Sequence, residues 1–410
     1  MKKMWKTLAL IAGMCAMLMP SSMLGEGVES RIAALNALCK TLETGHYNLF
    51  ELVDAGAWVA KKEETAGKAQ ALGDTDFSYA LMELVGSLHD AHTQVGFRPE
   101  EQMHMRILPV QVYGFDDGLR LLAAPDMYEA LLGQKVVALN SIPIDEVYER
   151  FSVLLSYDNE AYRRKMFSQC FANVDAMHYL GLAAEGERIS LTLEDENGAQ
   201  AQIDLEPLAA SQTQAISYGM VQRSATPIAE QARQIYQTAE LSPDALLISY
   251  YSCQEDPNLP MAEFAAQVKE QIAGKNYARV IVDLRYNGGG DSRVLEPLID
   301  MLDAEKTQKG FALYTLIGEN TFSSALMNAV QLKRIGATLV GRPSGGSVNH
   351  YGELQSAELE GLPLVVYYST QRFVMDASYG DGSLLPDITV PFLFEDYMSG
   401  RDADVEAALS

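Results

Sequence analysis

Between Glu29 and Leu88 apolar residues recur every three or four positions, most clearly at Phe77, Leu81, Leu84, Val85 and Leu88. Positions i, i+4, i+7, i+8 and i+11 share one face of a helix, so the spacing predicts a helix with a single buried stripe. Asp76, just ahead of that stripe, is the expected N-cap. The stripe stops at His89, and Thr93–Phe97 reads as a short strand. From about 107 to 207 the period shortens to two. Leu108–Tyr113, Gly118–Leu122 and Gly133–Leu139 read as strands, the last closed by a turn at Asn140 and Ser141. Ile189–Leu193 and Ala201–Leu205 flank Asn197 and Gly198, a pair that favours positive φ and predicts a hairpin. A helical insert interrupts this β-rich stretch at 158–182, and a polar segment, 210–217, links it to the C-terminal half of the chain. Beyond about 228, buried strands alternate with helices. The strands are Leu246–Tyr251, Arg279–Leu284, Phe311–Leu316, Ala337–Val340 and Leu364–Tyr368; the helices are Met261–Ile272, Ser292–Leu302 and Ser323–Ile335. That alternation predicts an α/β layer.

Composition narrows the possibilities. Of 410 residues 48% are hydrophobic, enough for more than one core, and the length predicts two or three domains. A formal net charge of −24 argues against nucleic acid, because phosphate binding needs a basic face, and against docking on anionic lipid. Self-repulsion between copies of a soluble protein is the simpler meaning of the charge. Lys2, Lys3 and Lys6, an apolar run from Leu8 to Met19, and then Pro20, Ser21 and Ser22 read as a secretory signal peptide over 1–25. The run is shorter than the roughly 20 residues that span a bilayer, and no later stretch is apolar enough to do so. Loss of the leader, with three lysines and no acid, takes the charge from −24 to −27. It also makes the mature protein secreted or resident in the cell envelope. Cys15 follows Met14, where a lipoprotein signal has a small residue. Cys39, Cys170 and Cys253 fit neither a disulfide framework nor a zinc site and read as small buried residues.

Three stretches offer chemistry. At Asn320–Val330 the stripe Phe322, Leu326, Ala329 and Val330 starts a helix near Ser323. The unpaired amides at such an end stabilise developing negative charge, so a serine there is a candidate nucleophile with the next N–H as oxyanion donor. The plainer alternative is an N-cap serine. At Arg279–Ser292 a buried strand runs into Gly288, Gly289 and Gly290 and then a helix capped by Asp291 or Ser292. Glycines there let backbone N–H groups approach a bound group, although a tight turn with no ligand explains them equally. The run matches neither a phosphate-binding loop nor a dinucleotide fingerprint. At Leu88–Thr93, His89, Asp90 and His92 lack a matching ligand cluster elsewhere, which argues against metal. A general base and a hydrogen-bonded loop histidine remain open.

Taken together, Asp283-Leu-Arg-Tyr-Asn-Gly-Gly-Gly290, Thr321-Phe-Ser-Ser-Ala325 with Gly341-Arg-Pro-Ser-Gly-Gly346, and Leu88-His-Asp-Ala-His-Thr93 resemble three signatures of one family. It is the C-terminal-processing (tail-specific, tricorn-core-like) serine protease family, and the signatures stand in its order. Gly382–Ile388 followed by Gly400–Asp402 is similar to the family's closing segment, and Gly133–Val147 looks like the end of a PDZ-like module. The resemblance implies Ser323 as nucleophile, Ser324 and either Gly288 or Gly289 as oxyanion donors, and His92 as general base. A lysine beyond the serine, used by one branch of the family, is missing. Asp381 is the nearest acid to orient His92, where the family pattern leads one to expect glutamate. Ala91 stands where some relatives have serine. His350, in a Gly-rich turn, is a rival base or a lining of the substrate pocket.

The expected architecture is α/β, with a mixed β-sheet catalytic core and helices over 218–410. A helical N-terminal segment at 26–105 contributes the histidine, and a small PDZ-like β-rich module occupies 106–208. The expected activity is that of an exported serine endopeptidase on polypeptide substrates, with no metal or organic cofactor. The alternatives are a catalytically silent peptide-binding protein on the same scaffold and, further off, an acyl-transfer or hydratase enzyme.

Overall fold

The computed structural model describes residues 27–184, 186–231 and 234–410, so the leader lies outside it. Strands Ala245–Tyr250, Arg279–Asp283, Ala312–Ile317, Thr338–Gly341 and Ile388–Thr389 lie side by side and parallel, with Tyr236–Ser242 antiparallel at one edge. Successive side chains leave a strand on opposite faces, so apolar runs bury two layers at once. Leu246, Ile248, Val280, Val282, Leu313 and Leu339 pack with residues of the helices Met261–Gly274, Glu296–Lys309 and Ser324–Arg334. Leu247, Ile281, Leu316 and Val340 pack instead with Val405 and Ala408 of the C-terminal helix Ala403–Leu409. The expected α/β core is therefore a three-layer sandwich.

The middle of the chain forms a seven-stranded sheet containing Gln111–Phe115, Gly118–Pro125, Lys135–Leu139, Ile189–Glu194 and Gln200–Leu205. Asn140 and Ser141 both take positive φ, 48° and 64°, and turn Ile142 back onto Leu139. The insert folds as Glu160–Cys170 and Val174–Tyr179, and its Phe167, Phe171 and Met177 join this module's core.

Two expectations change. The striped helix runs Asp74–Gly86 with Gly73 at its N-cap, so Asp76 lies in the first turn and Asp74 beside it. Carboxylates there complement the helix dipole without capping. Leu364–Tyr368 is a strand, within Leu364–Val374, but it is not part of the parallel layer. It sits between Gln94–Phe97 and Asn349–Glu358 in an antiparallel sheet of its own. Phe77, Leu81, Leu84 and Val85 share a core with Leu35, Leu38 and Leu42, and that core is closed by Leu359, Leu362, Leu364 and Val366. The N-terminal helices thus bury their stripe against chain some 280 residues later. Among the described residues no helix is long and apolar enough to cross a membrane. Cys39 and Cys253 are buried, Cys170 is half-buried, and all three are free.

Candidate active site

In a parallel sheet every strand delivers its following loop to the same edge. Neighbouring strands Arg279–Asp283, Ala312–Ile317 and Thr338–Gly341 therefore bring together the glycine loop, the Ser323 loop and the Gly345–Gly346 turn. Hydrogen bonds lock them: Phe322 N–H donates to Asn287 O (3.2 Å), Gly346 N–H to Thr321 O (3.0 Å) and the Thr321 hydroxyl to Leu284 O (2.9 Å). A Cβ on Gly345 would lie 2.0 Å from Glu319 O, and one on Gly346 would lie 3.2 Å from Ser323 N. These glycines are needed for close approach of backbone to backbone.

Ser323 stands at the N-cap position of the helix Ser324–Arg334, yet its side chain makes no capping hydrogen bond. Its backbone has φ 52° and ψ −127°, the region that glycine fills in a type II′ turn. A non-glycine residue there stores about 1–3 kcal/mol of strain. An ordinary cap serine sits relaxed in the β region with its oxygen on a helix N–H. This one is strained and its hydroxyl is left free of the helix. The Ser324 N–H, first in the helix, has no acceptor among the described residues, while the Ser324 hydroxyl donates to Gly290 O (2.6 Å). Gly289 presses on the same point: with φ 111°, a Cβ added to it would lie 2.8 Å from the Ser323 Cβ. Its N–H is already taken by Asn287 Oδ1 (2.9 Å), whereas that of Gly288 has no acceptor among the described residues. Of the two glycines, Gly288 keeps a free donor and Gly289 supplies room. Gly289→Ala is expected to slow any reaction at Ser323 on the order of 100-fold while the protein stays folded, as displacement by about an ångström does. Labelling rates and circular dichroism of the variant check this.

His92 reaches the same place from the N-terminal segment. Its backbone follows His89, whose φ of 53° turns the chain three residues past the striped helix, and the ring stacks on Phe322 with centroids 4.4 Å apart and planes 20° apart. His350 stacks nearby, at 5.4 Å and 17°. Neither ring nitrogen of His92 has a hydrogen-bond partner among the described residues, so no Ser323–His92 hydrogen bond exists in this structure. Burial pushes His92 down to about 4; the Asp90 charge opposes that and His350 adds to it. The imidazole is therefore neutral, the form a base requires. His350 is buried and uses Nδ1–H to donate to Ser347 O (2.9 Å), and burial lowers its pKa as well.

Asp381 is not brought to His92. Its side chain is 76% exposed and pairs with Arg372 at 3.3 Å. The carboxylate nearest His92 in the chain is Asp90, whose Oδ1 accepts the His92 backbone N–H (2.9 Å). Other residues here carry no signal that sequence reasoning picked out. Asn287 is fully buried; it binds Tyr250 O (3.1 Å) through Nδ2 and shapes the glycine loop. From the insert, Asn159 Nδ2 donates to Gly345 O (2.8 Å) and Ser347 Oγ (3.1 Å), while Tyr162 stacks on Phe322 at 4.5 Å. Beside it the Asp158 carboxyl is pushed up to about 7 by burial and by the charge of Asp90. Asn287 at least lies inside the glycine motif; nothing local marks Asn159 or Tyr162, because only folding brings the insert here.

No protein-family model and no curated protein matches this sequence. Solved structures do share its fold. Mature CPAF complexed with lactacystin is 13% identical, with TM-score 0.67 over 93% of this chain and 98% of that one. Mature CPAF alone is 14% identical, with TM-score 0.65 over 93% and 96%. The photosystem II D1 C-terminal processing protease overlays more loosely, at 12% identity and TM-score 0.43 over 92% and 98%. At such identities the likeness to CPAF shows the mixed α/β fold and leaves the chemistry to the site.

Proposed function

We propose that this chain is a serine-type peptidase in which Ser323 attacks the scissile carbonyl and His92 takes its proton. The observation that carries the reading is Ser323 itself, strained at φ 52°, uncapped, and pressed by Gly289 at a helix mouth. Strain of this kind persists where a reactive oxygen has to be presented. The free N–H groups of Ser324 and Gly288 are the oxyanion donors in this scheme. An acyl-enzyme forms at Ser323 Oγ, the proton passes through His92 to the leaving amine, and water then releases the acyl group. Because His92 has no partner, a ring rotation of its neutral imidazole toward Ser323 precedes attack. The substrates are polypeptides, and the β-rich module at 106–208 is read as PDZ-like, presenting a strand edge to an extended chain end. The basic, apolar start of the sequence supports export.

A fluorophosphonate probe tests the chemistry. Covalent labelling of the wild-type chain that is lost in Ser323→Ala is the expected result; labelling that survives the substitution removes Ser323 from the mechanism. Lactacystin, which mature CPAF carries in its solved complex, is the second probe. The same experiment addresses the silent peptide-binding reading, which the unpartnered His92 nitrogens favour. That reading holds if neither probe labels the wild-type chain. With His92 down at about 4, the labelling rate is expected to hold steady through pH 6 and fall to half near pH 4. An acid limb at the ordinary histidine value of about 6.5 would show that the base is a different, more exposed group.

A further inference from the structure

The ring of His92 has no hydrogen bond of its own, so its place is set by the two stacked rings and by its backbone. That backbone is held by Asp90, which is buried with 2% of its surface exposed. Asp90 Oδ1 accepts the His92 N–H (2.9 Å), while Oδ2 accepts the Thr93 hydroxyl (2.6 Å), the Ser369 hydroxyl (2.8 Å) and His46 Nε2 (3.2 Å). The tautomer of His46 is set by its other nitrogen: Nδ1 accepts the Asn48 backbone N–H (3.2 Å), so Nε2 carries the proton and donates to Asp90. These donors come from three separated parts of the chain: the end of the first helix, the His92 loop, and strand Leu364–Val374.

We propose that His46 and Asp90 are positioning residues for His92, a relay in which His46 anchors the carboxylate of Asp90 and Asp90 fixes the loop that carries the imidazole. An unpaired buried carboxylate is strongly destabilising, and three neutral donors with one amide make this one tolerable. Burial works to protonate Asp90, but the hydrogen bond from His46, the proximity of His92 and the Thr93 hydroxyl outweigh it, and its pKa is lowered. A structural turn needs no charge here: Asn or Ser holds an Asp-type turn equally well. What the charge adds is a field on His92, where Asp90 favours the protonated ring that forms when a base accepts a proton. The other titratable groups around these residues include His350, stacked on His92 from strand Asn349–Glu358, Asp158 from the insert, and Tyr351, whose ring packs on that of His46 with centroids 5.2 Å apart.

The inference rests on reading His92 as the base, and the test separates the two. Fluorophosphonate labelling rates are measured against pH for the full chain and for His46→Phe, His46→Gln and Asp90→Asn, alongside NMR titration of the His92 ring, assigned with His92→Gln. His46→Phe removes the donor and is expected to slow labelling on the order of 100-fold at saturating probe, with the half-saturating concentration unchanged. His46→Gln, whose amide reaches where Nε2 stood, is expected to recover most of that loss. Asp90→Asn keeps an acceptor for the His92 N–H and removes the charge. Without that charge the imidazolium is less favoured, so the His92 titration and the acid limb both move to lower pH. If Asp90→Asn fails to fold, the contrast between Phe and Gln at position 46 decides alone. Rates within twofold of wild type in His46→Phe, with an unmoved His92 titration, overturn the proposal. A wild-type chain that does not label, but whose His92 titration moves in the variants, keeps the relay and removes the peptidase.

Discussion

Ser323→Gly is expected to produce a protein that is more stable than the wild type and chemically inert. The backbone at 323 has φ 52° and ψ −127°, where glycine rests without strain and any residue with a Cβ does not. Relief of that strain is worth about 1–2 kcal/mol, at the lower end of what a strained backbone stores. Ser323→Ala keeps the Cβ, so it keeps the strain, and its stability stays near that of the wild type. Both variants lose the hydroxyl, and labelling and peptide hydrolysis are expected to fall roughly 10⁴- to 10⁶-fold. Urea unfolding of the two variants, run beside the labelling assay, separates strain from chemistry. If glycine is no more stable than alanine at this position, the backbone is not strained and the cap interpretation returns.

The largest loss of stability is expected at Arg285, three residues before Gly288 in the glycine motif. Its guanidinium is buried and bonds Asp283 through Nε (3.0 Å) and Nη2 (2.7 Å), Asp402 through Nη1 (2.7 Å) and Nη2 (2.9 Å), and Asp404 through Nη1 (2.9 Å). Asp283 ends the strand that leads into the glycine loop; Asp402 caps the C-terminal helix by accepting the Val405 N–H (3.2 Å). One arginine therefore ties the last helix to the edge of the sheet where Ser323 and Gly289 meet. Replacing it by leucine leaves three carboxylates facing one another, with Arg342 3.6 Å from Asp404. Breaking a buried ion cluster by removing one partner costs about 3–5 kcal/mol, because the stranded charges remain buried. Arg285→Leu is expected to lose about that much in urea unfolding. A loss below about 1 kcal/mol would mean that water reaches the cluster, as it does at exposed ion pairs.

Much of the fold was legible because burial writes a period into the chain. The stripe from Phe77 to Leu88, the doubly buried runs at 245–250 and 279–283, and the Asn197-Gly198 turn each carry their own local signal. The strand Leu364–Val374 misled, since a short apolar run reads alike in a parallel layer and in a hairpin. The site was legible in part for a similar reason. Ser323, the glycines and His92 stand in compact motifs, whereas His46, Ser369, Asn159 and Tyr162 owe their places to contacts across 44 to 279 residues.

The amino-acid order alone settled that a serine begins a helix behind one turn, that three glycines follow a buried strand, and that a histidine follows a striped helix. Those are statements about neighbours in the chain, and backbone sterics and periodic burial decide them locally. Which oxygen is free, which glycine N–H is spent, and which acid stands near the histidine were decided only by packing. Asp381 points to solvent and Arg372, and Asp90 lies under His92, because the hairpin that closes the N-terminal core carries Ser369 up to meet it. Side-chain partners are set by the three-dimensional path of distant segments, and one-dimensional spacing holds no record of that path.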